Sequence, residues 1–466
     1  MARIDGRLDS DPSDDETDPS DGADARIDSG GAESTEPRGD GTGDRSAVPK
    51  TASLLGETLG YARDRDYRGP DYGDGMSSRL LDVLPVESTY LNLAVQETIK
   101  RAPVNLRPLF RVEARRNFKG TALFAMANMT AADLLDAGES RVAGAGRGSS
   151  ADTGRGDPPE YRREARALAD WLVDARIEGR AGYCGGHSHD LQTLDGVVEV
   201  GTPGIVGTAY AVKALLRADE RFDRDYAGVA RSAADFVFED LNYGPADGVG
   251  ATIDYKPGES DDYTTINAVA LGARTLVDLY DRFRGSRTAE PRLREGAREL
   301  LRYVAAQQTP AGGWHYRDPA SASHLSMDNH HNGFVIEAFQ RYRAVTGSSE
   351  FDDTLGYALG FYRDALFDAD GAANFDEASP YPRDIHAATQ GALVFAYAGD
   401  TGFARRILDR ALETFYVGDG RYYFRKHRFH TKRVVLMRWC VAWMAYALAE
   451  LERVERGWPD GGRPER

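Results

Sequence analysis

Nine histidines occur in this 466-residue chain, and they sort to one kind of place. His187, His189, His315, His324, His330, His331, His386, His427 and His430 all fall in Gly/Asp/Tyr-rich connections or on the first residues of the helical segment that follows. Imidazole titrates closest to neutrality, so histidines gathered on recurring loops are raw material for proton transfer. The densest cluster is SMDNHHNGF, residues 326–334. Asp328 or Asn329 can cap a helix there, which leaves His330 and His331 at the positive end of its dipole. That place favours neutral imidazole and suits a general base, against the plainer reading of capping and loop packing. In YPRDIH, residues 381–386, Asp384 is an N-cap, His386 follows it, and Arg383 can grip a carboxylate bidentately.

Weaker signals surround these two clusters. His187 and His189 stand two apart in CGGHSHD, but no third or fourth ligand follows at metal-site spacing. No metal and no cofactor is therefore expected, and both histidines are read as substrate contacts. RKHRFHTKR, residues 425–433, is the most basic stretch of an acidic chain. On open surface it would be ordinary; at a cavity rim it would draw in an anion. Arg438 and Trp439 offer a charge and a sugar-stacking ring beyond it, with buried packing as the alternative for the tryptophan. Trp314, in QQTPAGGW, is a further candidate ring. Asp254, Tyr255, Asp261, Asp262 and Tyr263 supply candidate acids and contacts.

Two alternating kinds of helical segment must position these residues. Segments 118–137, 203–218, 264–280, 331–343, 385–397 and 436–451 are apolar nearly all round, hence buried. Segments 88–100, 160–176, 224–241, 292–308, 351–367 and 402–416 are amphipathic. In 160–176, for example, Leu168, Trp171, Leu172 and Ala175 make one stripe. Six of each in strict alternation predict an all-α fold, an (α/α)6 toroid of six helical hairpins. The long links 177–202, 242–263, 309–330, 368–384 and 417–435 then lie at one end, as active-site loops. His187, Asp328, His330, His331, Asp384, His386 and Arg438 should converge there on one pocket.

Composition bounds the rest. Net charge is −16, and residues 1–50 carry −8 of it (11 Asp and 3 Glu against 5 Arg and 1 Lys) with almost no apolar residues. They are expected to be a disordered acidic tail, followed by a lead-in at 51–87, the toroid at 88–456 and a second disordered tail at 457–466. The Gly/Ser/Arg-rich stretch 138–159 reads as a surface insertion. The acidic balance argues against nucleic acid as a partner. Two cysteines, Cys184 and Cys440, are too few for a disulfide framework. No secretory signal and no membrane-spanning run is visible, so the cytoplasm is the expected compartment. Acidity with only 7 Lys among 58 cations suggests a salt-adapted source. Oligomeric state is not legible.

With its helix count, rim loops and Gly-aromatic turns, the chain over about 88–454 resembles the six-hairpin carbohydrate-active enzymes: glycoside hydrolases, unsaturated uronyl hydrolases, polysaccharide lyases and sugar epimerases. More narrowly, DNHHNGF and MRWCVAWM in an acidic chain look like the AglQ-type proteins of archaeal N-glycosylation (surface-glycan) gene clusters. That resemblance implies work on a hexuronic acid of a lipid-linked or protein-linked glycan. The leading expectation is proton abstraction from an acidic sugar, as in an epimerase or lyase. His330, His331 and His386 would exchange protons beside Asp328 and Asp384, and Arg383 and Arg438 would neutralise the uronate. A hydrolase with paired carboxylates among Asp254, Asp262, Asp328 and Asp384 is the alternative. A non-catalytic glycan-binding toroid ranks third. A terpenoid-type toroid ranks last, since the one DDxxD match lies in the acidic tail at 14–18.

Overall fold

The computed structural model describes residues 51–83, 88–137, 157–194, 196–246, 248–259, 262–285 and 291–459. Its principal helices are α1 (Thr51–Arg63), α2 (Thr89–Arg101), α3 (Phe118–Asp136), α4 (Pro158–Asp174), α5 (Ile205–Asp219), α6 (Tyr226–Arg231), α7 (Ile266–Phe283), α8 (Pro291–Ala306), α9 (Asn329–Thr346), α10 (Asp352–Leu366), α11 (Ile385–Tyr397), α12 (Thr401–Phe415) and α13 (Trp443–Glu455). A π-helical turn, Met437–Ala442, leads into α13. Helices α3, α5, α7, α9, α11 and α13 each pack on the next, and α13 closes back on α3. The six apolar segments therefore form one inner ring. Their lack of a polar face is what being surrounded requires. Close approach depends on small residues: a Cβ on Gly333 of α9 would lie 2.3 Å from Gln390 of α11.

The outer ring corrects one sequence assignment. Helices α4, α6, α8, α10 and α12 cover their inner partners as expected, but the sixth outer place belongs to α1, packed on α13 and α3. The sequence reading gave that place to 88–100. Leu54, Leu55, Leu59 and Ala62 of α1 are fully buried, whereas α2 buries only Gln96 and Ile99 and lies against the loops of the mouth. The second outer segment, read as one helix over 224–241, is also broken. Ser232 turns its hydroxyl to the carbonyl of Val229 at 2.9 Å and accepts the backbone N–H of Tyr183 at 3.1 Å, and a π-helical turn, Phe236–Asp240, follows. Of the expected tails and insertion (1–50, 457–466 and 138–159), residues 1–50, 138–156 and 460–466 lie outside the described residues; Asp157 instead caps α4, which Pro158 and Pro159 begin, and Trp458 packs against the core.

Five of the six inner helix starts are tied to the next segment around the ring. Ile205 N–H donates to Tyr255 at 3.0 Å, Ile266 to Tyr316 at 3.0 Å, Asn329 to Phe375 at 2.9 Å and Ile385 to Phe424 at 3.3 Å. Met437 completes the series by donating to Pro70 of the lead-in at 2.9 Å. These bonds satisfy N–H groups that a helix start leaves unpaired, and they fix the mouth. Short antiparallel pairs add to them, such as Thr264–Thr265 with Arg317–Asp318, and Arg383–Asp384 with Arg425–Lys426.

Candidate functional site

The starts of α9 and α11 and the π-helical turn before α13 bring three imidazoles together. Asp328 caps α9 through the His331 N–H at 3.1 Å. Its second oxygen meets His331 Nδ1 at 2.8 Å, and His330 Nδ1 lies 3.3 Å from the first. The ring centroids of His330 and His331 are 3.8 Å apart, and His330 stacks on His386 at 4.6 Å. His386 in turn contacts Trp439 at 4.4 Å and Trp443 at 4.3 Å, and Tyr316 lies 4.4 Å from His331. Asp328, His330, His331 and His386 are all buried. His331 Nε2, both nitrogens of His386, and the indole N–H groups of Trp439 and Trp443 have no hydrogen-bond partner. Buried polar atoms are normally paired, so five unpaired ones in one cluster set this place apart.

Burial and neighbouring charge favour the neutral form of two of these rings, His330 and His386. Burial, then the charge of Lys119, hold His386 well below the usual histidine range; burial, His331 and His386 do the same for His330. Desolvation is thus the main cause, rather than the helix dipole invoked from sequence. Lys119, in the first turn of α3, was missed by sequence reasoning. It is buried, with Nζ 5.3 Å from the Trp439 ring and 5.7 Å from Phe334. Its signal was there: it is one of only seven lysines, and it sits in an otherwise apolar segment.

The remaining candidates divide. Arg438 lies over Trp439 at 4.6 Å, but Asp71 of the lead-in binds it, at 2.9 Å to Nη2 and 3.1 Å to Nε. Its charge is therefore already matched. Burial alone would raise Asp71, yet Arg438 and then His189 bring it below the usual carboxylate range. His189 is buried, with Nδ1 2.7 Å from Ser77 and Nε2 unpartnered, and burial lowers its pKa. Asp384 caps α11 through the His386 N–H at 2.8 Å, and its other oxygen receives Arg425 Nε at 2.5 Å. It braces His386 from behind. Arg383 turns instead to Asp368 at 2.6 Å and to the Ala373 carbonyl. Trp314 stacks on Phe339 and donates to the Val304 carbonyl at 2.7 Å, a packing role. Asp254 accepts from Asn242 at 2.6 Å, and Tyr263 lies under Arg317. His187 sits half-buried on its loop, its N–H bonded to Thr202 at 3.0 Å. Asp262 is exposed, and Asp261 lies outside the described residues.

With this geometry in place, the comparison with solved structures is direct. The chain has the fold of the six-hairpin (α/α)6 enzymes. It is similar to a GH76 α-mannanase of Bacteroides thetaiotaomicron (TM-score 0.53, 12% identity, 74% of this chain and 88% of that one). It is similar as well to a cellobiose 2-epimerase of Bacillus thermoamylovorans (0.52, 13%, 74% and 90%) and an unsaturated glucuronyl hydrolase of Bacillus sp. GL1 (0.52, 12%, 90% and 100%). No family model matches the sequence, and no curated protein does. On this toroid, Asp328, His330 and His331 are the one group among the described residues with ligand atoms within 4.8 Å of one another, as a metal would need. There the carboxylate already serves both Nδ1 atoms, which aims the ring edges bearing Nε2 away from it.

Proposed function

We propose that this toroid is a carbohydrate-active enzyme that moves a proton on an acidic, hexuronic sugar, as an epimerase, isomerase or lyase does. The observation that carries this reading is the buried pair His330 and His386, stacked on each other and held neutral, with both ring nitrogens of His386 unpartnered. A neutral imidazole out of water can take a proton from a carbon next to a carbonyl or carboxylate, and a second imidazole can return one. His386, ringed by indoles and unpartnered at both nitrogens, is our choice for the base; His330 is its exchange partner. His331, held by Asp328, binds and orients. Abstraction beside a carboxylate builds negative charge, which needs a fixed cation. Lys119 fills that role, because Arg438 is committed to Asp71. Trp439, Trp443 and Phe334 offer apolar faces for the sugar. A cellobiose 2-epimerase and glucuronyl hydrolases among proteins of the same fold support the substrate class. A surface or N-linked glycan as the sugar's carrier, a salt-adapted source and a cytoplasmic site of action belong to the same reading.

Hydrolysis by paired carboxylates is the second reading. One observation favours it: burial raises Asp376, on the loop that pins α9, as a general acid requires. Incubation with hexuronosides in D2O separates the two. Deuterium at C5 with the glycoside intact, or a new 4,5-double bond, supports proton abstraction. Released sugar without deuterium, abolished by Asp376→Asn and not by His386→Ala, sinks it.

A further inference from the structure

We propose that the hairpin spanning 425–432 is a membrane-docking wedge that seats the toroid's mouth on an anionic lipid surface. Its strands, Arg425–Lys426 and Thr431–Lys432, pair with each other, and the first also pairs with Arg383–Asp384 at the start of α11. The hairpin therefore rises from the mouth, two residues from His386. At its tip Phe429 is 89% exposed, the most exposed large apolar side chain among the described residues. The Arg428 guanidinium lies 5.3 Å from its ring, and His427 and His430 stack beneath at 4.3 Å, stiffening the turn. Lys426, Arg428 and Arg433 are exposed and form no ion pair among the described residues, in a chain of net charge −16 where most arginines do.

The apolar surface continues beside the hairpin. Arg433 donates its N–H to Pro103 at 2.7 Å and is bridged to Val104, itself 50% exposed. Leu109, five residues further along the chain, is 70% exposed. A phenylalanine 89% exposed and flanked by cations that form no ion pair among the described residues is mismatched to water. It matches the interface of a bilayer, where the ring enters the acyl boundary while cations meet phosphates. The chain's overall negative charge does not forbid this, since screening confines the attraction to groups within about 8–10 Å of the lipid. A sugar carried on a lipid would then meet the mouth directly. The inference does not depend on the proposed chemistry.

The test is co-sedimentation of the full chain with vesicles of phosphatidylglycerol or of phosphatidylcholine, at about 0.1 M salt. We expect binding to the anionic vesicles only, weakened about fivefold or more by Phe429→Ser and by Lys426→Ser/Arg428→Ser. Circular dichroism should show both variants folded, because the replaced side chains are at the surface. Four outcomes would overturn the proposal: no binding to phosphatidylglycerol; equal binding to both lipids; binding indifferent to Phe429→Ser; or binding seen only after removal of residues 1–50, which makes that acidic segment the hairpin's partner. A dimer that Phe429→Ser converts to monomer without changing vesicle binding would assign the surface to a second copy instead.

Discussion

His330 and His386, stacked out of water, cannot readily share positive charge, and that decides how the pair titrates. An unfolded histidine takes up a proton below about pH 6.5. His330 and His386 resist it in the fold, since burial and neighbouring charge hold them well below that value. Their contribution to stability is thus fully present above about pH 6.5 and is lost as pH falls from there through their folded-state pKa values, by up to about 1.4 kcal/mol per pH unit for each. His386→Gln should flatten the acid limb of a urea-stability profile by one such increment, and an unchanged slope would show that His386 is charged in the folded protein. The same depression should keep kcat/KM on its plateau to below pH 6.5. His330→Ala or His331→Ala should cut the turnover of the folded fraction about 10²-fold, beside the loss of stability that truncating a buried side chain brings. If either unfolds the protein while the folded fraction keeps its activity, these are capping and packing residues. Lys119 carries a separate prediction. Lys119→Met should weaken a hexuronate about tenfold or more against the matching uncharged hexose, in binding followed by calorimetry; equal losses for both sugars would remove the lysine from carboxylate recognition.

At the scale of elements, periodicity exposed the six inner helices because each is apolar on every side, and placed His330, His331 and His386 on their first residues. What it could not show was closure. Pro70 and Asp71 meet Met437 and Arg438 across more than 360 residues, and no local pattern records such a pairing. The sixth outer helix was legible in principle, since Leu54, Leu55, Leu59 and Ala62 form a stripe in TASLLGETLGYAR. The more charged 88–100 looked the better amphipathic helix, but charge on a mouth element answers to its loop partners rather than to a core. The consequence can be tested by truncation. Removing residues 1–50 should leave the melting temperature nearly unchanged. Removing 1–63 strips three buried leucines, each stabilising by about 1.5–3 kcal/mol, from a fold whose total stability is of order 5–15 kcal/mol. The shorter chain should therefore fail to fold cooperatively by thermal circular dichroism, and a cooperative melt would make α1 an accessory.

Across the whole molecule, the ring divides into two chemically different halves. The mouth holds the imidazoles and indoles with unmet hydrogen bonds, braced by a few ion pairs; deeper in the ring is a larger network of charges. Arg217 of α5 grips Glu450 of α13 at 2.6 and 2.9 Å, and Arg453 and the Tyr397 hydroxyl bind the same carboxylate. Arg274 of α7 pairs with Glu337 of α9, which accepts Gln390 of α11 at 3.0 Å, and Lys213 reaches the Tyr446 hydroxyl at 2.7 Å. Glu337 lies seven residues beyond His330 on one helix, about 10 Å along its axis. A sequence reading counts these charges as blemishes in apolar helices, because it cannot see that five helices bring them to one axis. Ion pairs that join neighbouring inner helices offer a way to fix their register, and so where the imidazoles meet. Burial would raise Glu450, but Arg217 and then Arg453 hold it far below the usual carboxylate range. Glu450→Gln should accordingly strand two buried guanidinium groups and cost about 3–5 kcal/mol in urea unfolding at neutral pH. The difference from wild type should shrink as pH falls below about 4.5, where the unfolded glutamate, but not the folded one, takes up a proton. A loss under about 1 kcal/mol would mean that water reaches the network and that the imidazoles are positioned by the mouth loops alone.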